Sequence, residues 1–190
     1  MESQYNEDTV FEDLDLSEAD LSEKEFVSCE FTRCDLSKAD LGGTVFMDCV
    51  FRECNLSLAK LVQSGMKTVG FYDCKLVGVE FSKCSDFLFV VSFQNCQIDY
   101  SSFFQKKMKK TRFADCSLKE VDFTLAELSS AVFHNCDLLK ACFVQSNLDK
   151  VDLRTAYNYS FDCELNRVKG AKFSHSGIAG LLNKYEIVIT

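Results

Sequence analysis

Large apolar residues recur along this chain at every fifth position. Stepping from Phe11 gives Leu16, Leu21, Phe26, Phe31 and Leu36, and the frame holds without a miss for fifteen positions, to Phe81. Leu, Phe and Met make up far less than half of an ordinary composition, so chance does not produce such a run. A period of five fits neither the 3.6 of an α-helix nor the 2 of a strand. Between Phe81 and Leu88 the frame slips by two residues, then runs on from Leu88 through Phe93 and Ile98 to Leu153. A second register lies two places before the large one and holds small residues: Ala19, Ala39 and Ala59, then Cys29, Cys49, Cys34, Cys54 and Cys74, and later Cys96, Cys116 and Cys136. Identical residues return every twenty positions, which is four fives.

This pattern predicts a coil with four sides. Each five-residue unit forms one side, with its large and small residues turned inward and the other three outward. Successive coils stack through backbone hydrogen bonds about 4.8 Å apart, in a solenoid where each coil touches only its neighbours. Twenty-nine repeats predict about seven coils and a rod about 35 Å long. The slip, in FSKCSDFL, predicts a two-residue bulge at a corner. Cysteine and alanine suit the narrow inner slot, where leucine would overpack. The small register, with Cys84 at the slip, accounts for nine of the eleven cysteines and leaves out Cys142 and Cys163. There is no C-x-x-C pair, and His134 and His175 stand apart, so zinc spacing is absent. An odd cysteine count behind an acidic, polar start argues against a disulfide framework. Packing is the remaining role.

The pentapeptides Cys34-Asp35-Leu36-Ser37-Lys38 and Ala39-Asp40-Leu41-Gly42-Gly43 state the pattern in full: small, acidic, large, then two polar or small residues. Over residues 11–173 it resembles the pentapeptide repeat proteins. The resemblance implies an all-β fold, the right-handed quadrilateral β-helix. Residues 1–10 are then a polar, ragged N-terminal segment and residues 174–190 a capping segment. In that cap, Ser176 is placed to start a short helix over 177–185, with Ile178, Leu181, Leu182 and Tyr185 on one face. The β-branched Ile187, Val188 and Ile189 read as an extended piece. The tail, TAYNYSFD followed by GIAGLLNKYEIVI, is similar to that of the Qnr-type quinolone-resistance subset, whose C-terminal helix and strand form a head-to-head homodimer. The similarity places Ile178, Leu181, Leu182, Tyr185, Ile187, Val188 and Ile189 at a dimer interface.

Charge is lopsided. The chain carries −8 overall, but residues 1–54 hold fifteen acids and four bases, net −11. Asp15, Asp20, Glu25, Glu30, Asp35 and Asp40 each precede an inward residue and are expected to face out, with Asp15 stacked on Asp35 and Asp20 on Asp40. Like charges about 5 Å apart repel. Either the repeat simply prefers aspartate there and gains solubility, or an acidic rod stands in for duplex DNA, which carries one charge per roughly 1.7 Å of axis. The resemblance implies the second reading, with DNA gyrase or topoisomerase IV as partner and lowered quinolone sensitivity as outcome. Two features depart from that pattern. Long projecting loops are absent, and Lys106-Lys107-Met108-Lys109-Lys110, with Arg112, puts a basic cluster mid-chain, expected as a solvated face. The alternative is a scaffold that binds an unrelated protein through its sides.

Catalytic chemistry finds no support. No nucleophile–His–Asp set or phosphate loop stands out, and a filled rod offers no ligand cavity. No enzyme activity, cofactor or metal is expected. With no apolar run of about 20 residues and no secretory start, the expectation is a cytoplasmic protein without membrane contact. The net charge argues against direct nucleic-acid binding.

Overall fold

The structure is a computed structural model in which residues 3–188 are described. The chain winds into a four-sided β-helix of about eight turns, and every strand pair is parallel. Side one is a sheet of four strands, Tyr5–Glu7, Glu25–Val27, Val45–Met47 and Gly65–Lys67. Side two is a sheet of nine, from Val10–Glu12 and Glu30–Thr32 to Asp152–Leu153 and Lys172–Phe173. Equivalent residues pair twenty apart, as Phe11 with Phe31 and Phe31 with Phe51. Sides three and four are held by single bridges, among them Asp15 to Asp35 and Asp20 to Asp40.

The solenoid is longer than the seven coils expected because pairing begins before Phe11. Tyr5–Glu7 pairs with Glu25–Val27, so the first ten residues are not a free polar segment, and Asn6 takes the inward place opposite Phe26. At the open end of the rod that place is only half buried. A polar side chain there keeps its water, so it costs little, and the apolar step misses it.

Most corners use a left-handed residue two places after the large one, for example Glu18 (φ 57°), Lys38 (φ 56°) and Gly43 (φ 67°). On sides three and four the large residue's carbonyl accepts the N–H three places on, as from Ala19 to Leu16 and Ala39 to Leu36, both 3.1 Å. With positive φ at the third of four residues this is the type II pattern. At most corners after the strands a cysteine follows. The Cys49 thiol donates to the Met47 carbonyl and to the Phe26 carbonyl one coil back, both at 3.3 Å. Cys54 donates likewise to Arg52 and Phe31, at 3.2 and 3.4 Å. The Thr44 and Ser64 hydroxyls reach the Leu21 and Leu41 carbonyls at 2.7 Å. The inner slot therefore accommodates a small donor as well as a small volume, although Ala39, Ala59 and Ala126 fill it with no donor. Burial pushes the Cys49 thiol up to about 11, so it stays protonated and able to donate.

Phenylalanine fills the bore in two stacks. On side two Phe11, Phe31, Phe51, Phe71, Phe93, Phe113 and Phe133 stack with ring centroids 4.7 to 5.2 Å apart. The second stack starts on side one with Phe26 and Phe46 and continues on side four with Phe81, Phe103, Phe123 and Phe143. It crosses over at the slip. There Leu88, expected inward, is 57% exposed with a φ of 55°, and Phe89, 7% exposed, fills the bore edge-on to Phe81. The strands of side one end at Gly65–Lys67, and from Lys107 onward that side is held by single bridges with type II corners. The bulge thus joins two corner geometries.

The basic cluster is not all surface. Lys106 stands two places before Met108, on the small register, and is 2% exposed. Its ammonium donates to the Cys84 carbonyl and the Asp86 carboxylate of the bulge and lies 5.1 Å from the Phe89 ring centre.

The C-terminal cap is two 3-10 turns, Ser176–Leu181 and Asn183–Tyr185, rather than the single helix expected over 177–185. Ser174, not Ser176, accepts the Gly177 N–H, at 3.0 Å. Gly177 and Gly180 press so closely on Tyr159 that a Cβ on either would overlap it, on the hydroxyl and the backbone carbonyl respectively. Two glycines also weaken an α-helix. Glu186, left-handed at φ 51°, ends the turns. Ile187 and Val188 form no strand, and Ile189 lies outside the described residues.

Candidate functional site

The six acids do not share one face. Asp15 and Asp35 lie on side three, Asp20 and Asp40 on side four, Glu25 on side one and Glu30 on side two. Together they form a collar around the first two coils. Asp15 does stack on Asp35 and Asp20 on Asp40. Each aspartate Oδ1 accepts the backbone N–H two places on, from Ser17 (3.0 Å), Ser22 (3.0 Å), Ser37 (2.8 Å) and Gly42 (3.0 Å). The Ser17 and Ser22 hydroxyls add a second bond at 2.6 Å. The hydroxyl first, then the N–H, hold the Asp15 and Asp20 carboxyls below the usual aspartate range. Cations one coil on reach back to the collar: Arg33 to Asp13 and Glu12, Lys38 to Glu18, and Arg52 to Glu30.

The turn bond needs an oxygen and no charge. Asn55, the next residue in the Asp15–Asp35 column, accepts the Ser57 N–H at 3.1 Å and the Ser57 hydroxyl at 2.7 Å. Asn147 does the same for the Asp149 N–H. The charge density is high. Residues 1–54 carry −11 over roughly two and a half coils, about 12 Å of rod, or about one charge per ångström against roughly 1.7 Å for duplex DNA.

At the other end the apolar set divides. Ile178, Tyr185, Ile187 and Val188 are exposed, Val188 at 87%, while Leu181 packs on the core and Leu182 is half-buried. A 3-10 turn repeats every three residues, so it separates Leu182 and Tyr185 from Ile178 and Leu181. The cap is clamped by Lys184, whose ammonium binds Asp162 at 2.7 Å and Glu164 at 2.9 Å and holds the Asp162 carboxyl low.

Two family matches cover most of the repeats: a pentapeptide repeat region over residues 24–103 and eight copies of the pentapeptide repeat over 116–154. The chain belongs to the pentapeptide repeat family. Among solved structures, the fold of this pentapeptide repeat protein is similar to that of a trypsin-treated form of QnrB1, a plasmid-mediated fluoroquinolone resistance protein. The two are 23% identical with a TM-score of 0.52, over 98% of this chain and 91% of that one. HetL, a pentapeptide repeat protein involved in heterocyst differentiation regulation in the cyanobacterium Nostoc, is 17% identical over 90% and 87%, with a TM-score of 0.39. A search of curated proteins finds no match. His134 of this repeat protein lies on the surface, its Nδ1 3.3 Å from the Thr155 hydroxyl. Among the described residues, no three of His, Cys, Asp or Glu gather as metal ligands, and no helix is long and apolar enough to cross a membrane.

Proposed function

We propose that this protein is a non-enzymatic binder of a type II topoisomerase, DNA gyrase or topoisomerase IV, whose acidic N-terminal coils occupy a site made for duplex DNA. Lowered quinolone sensitivity is the expected consequence. The observation that carries the reading is the collar of charges that folding does not require. Asn55 performs the turn bond of Asp15, Asp20, Asp35 and Asp40 without a charge, yet the first two coils hold stacked carboxylates at a density above that of DNA. The similarity to a fluoroquinolone resistance protein points the same way. Immobilised gyrase should bind the protein at low salt and release it as salt rises, since exposed charges beyond about 10 Å are screened at 0.1 M. Binding that ignores salt would overturn the reading.

Self-association belongs to the same proposal. The exposed Ile178, Tyr185, Ile187 and Val188 fit the cap of a second copy, which would join two rods with their acidic ends outermost. Sedimentation at micromolar concentration should give twice the mass of the chain, and Ile187→Asp/Val188→Asp should give the monomer.

A scaffold reading draws on Asp122 and Asp137, which make the same turn bond in the second half, where the chain is not acidic. It predicts no effect on any topoisomerase.

A further inference from the structure

Side one changes sign beyond the bulge. From Lys107 onward it carries Lys107, Lys109, Lys110, Lys150, Arg167 and Lys169 against two acids, Glu127 and Asp149. Both acids are already engaged. Glu127 accepts from the Asn147 amide at 2.9 Å, and Asp149 from Arg167 at 2.6 Å and from the Lys169 N–H at 3.0 Å. Among the described residues, none of the five lysines has a carboxylate within ion-pair distance. An open groove of about 660 Å³ is lined by Lys107, Lys109, Lys150 and Arg167 together with Ser129, Ser130 and Asn147. One coil below, the bulge exposes Phe87 at 67% together with Leu88 and Val90, and Lys67 lies 5.5 Å from the Phe87 ring centre. Lys106, next in sequence to Lys107, ties the bulge to their coil through Asp86.

We infer that this strip is a second docking surface, for an acidic protein segment that also carries apolar side chains. Unpaired lysines beside exposed aromatic and aliphatic groups are complementary to such a segment. Lys110 and Lys150 stand two coils apart, about 10 Å, which matches carboxylates two turns apart on a helix. A nucleic-acid backbone fits less well. The chain is −8 overall and repels it at a distance, and the aliphatic shoulder gives a phosphate nothing to bind. This inference is independent of the topoisomerase reading, which uses the opposite charge on other coils.

The test is fluorescence anisotropy with a labelled helical peptide of about five turns, bearing Glu at i, i+4 and i+7 and Leu beside them. Its Gln-for-Glu counterpart and a short DNA duplex serve as comparisons, all with the full chain. The acidic peptide should bind at low salt, and Lys107→Glu/Lys150→Glu should weaken it about tenfold. Phe87→Ser should weaken it without changing its salt dependence. Circular dichroism of both variants should match the parent, since all three side chains are exposed. Equal binding of the Gln peptide, indifference to both variants, or tighter binding of the duplex would overturn the inference.

Discussion

At the residue scale the fold asks two things of its repeats, and only one was legible from size. The large and small registers stood out because volume alone sorts them. The donor role of the small slot did not, because cysteine and alanine look alike as fillers until a carbonyl one coil back is seen to accept the thiol proton. Six of the nine buried cysteines, Cys29, Cys34, Cys49, Cys54, Cys74 and Cys96, donate to such a carbonyl, and Cys142 escapes the slot because it stands at an outward bridge to Asp122. Under native conditions a thiol reagent should label only the exposed Cys142 and the half-buried Cys163, and all eleven cysteines after unfolding. Labelling of the buried column at the same rate would contradict the packing. Lys106 breaks the size rule, which predicts a surface lysine at what is a buried position. Its ammonium is buried but its partner Asp86 is exposed, so Lys106→Ala should cost about 1–3 kcal/mol in urea unfolding, and Lys106→Met less. For Asp15 and Asp20 the turn bonds lower the folded pKa. Their stabilisation is therefore full above the unfolded value of about 3.9 and fades as pH falls through the lower folded value. Melting temperature should drop below about pH 4, and Asp15→Asn/Asp20→Asn should flatten that drop while giving up the part of the pH 7 stability that the charged turn bonds supply.

At the element scale, the sides of the coil were readable and the interruptions were not. A five-step frame locates a two-residue insertion, but it does not say which of two adjacent apolar residues turns inward. Phe89 wins over Leu88 because only it reaches the Phe81 ring across the crossing of the two stacks. The cap shows a different limit. The apolar spacing of Ile178, Leu181, Leu182 and Tyr185 fits an α-helix, but the contacts of Gly177 and Gly180 with Tyr159 are tertiary and leave no periodic trace. Gly180→Ala puts a methyl group into the Tyr159 carbonyl. It should lift the cap, expose residues 176–188 to limited proteolysis, and abolish self-association, leaving the repeat coils intact. A variant that keeps the parent's protease resistance would contradict this packing.

At the scale of the whole molecule, the repeat wrote the architecture into the sequence and wrote little of the function. A solenoid is nearly one-dimensional, so local period is enough to give the coil, the bore and the outward set. The exterior is a map of charge whose meaning depends on a partner. The sequence showed the acid excess of residues 1–54. The five-step frame spreads those acids over all four sides, but it did not show that Asn55 does the same turn chemistry uncharged. That equivalence makes a clean experiment possible. In a gyrase supercoiling assay, with and without a quinolone, the parent protein and Asp15→Asn/Asp20→Asn/Asp35→Asn/Asp40→Asn are titrated side by side. The parent should alter supercoiling or relieve quinolone inhibition, and the equally folded Asn variant should lose most of that effect. An inert parent in both arms, or an Asn variant as active as the parent, would contradict the claim that the charged collar is what this rod presents to its partner.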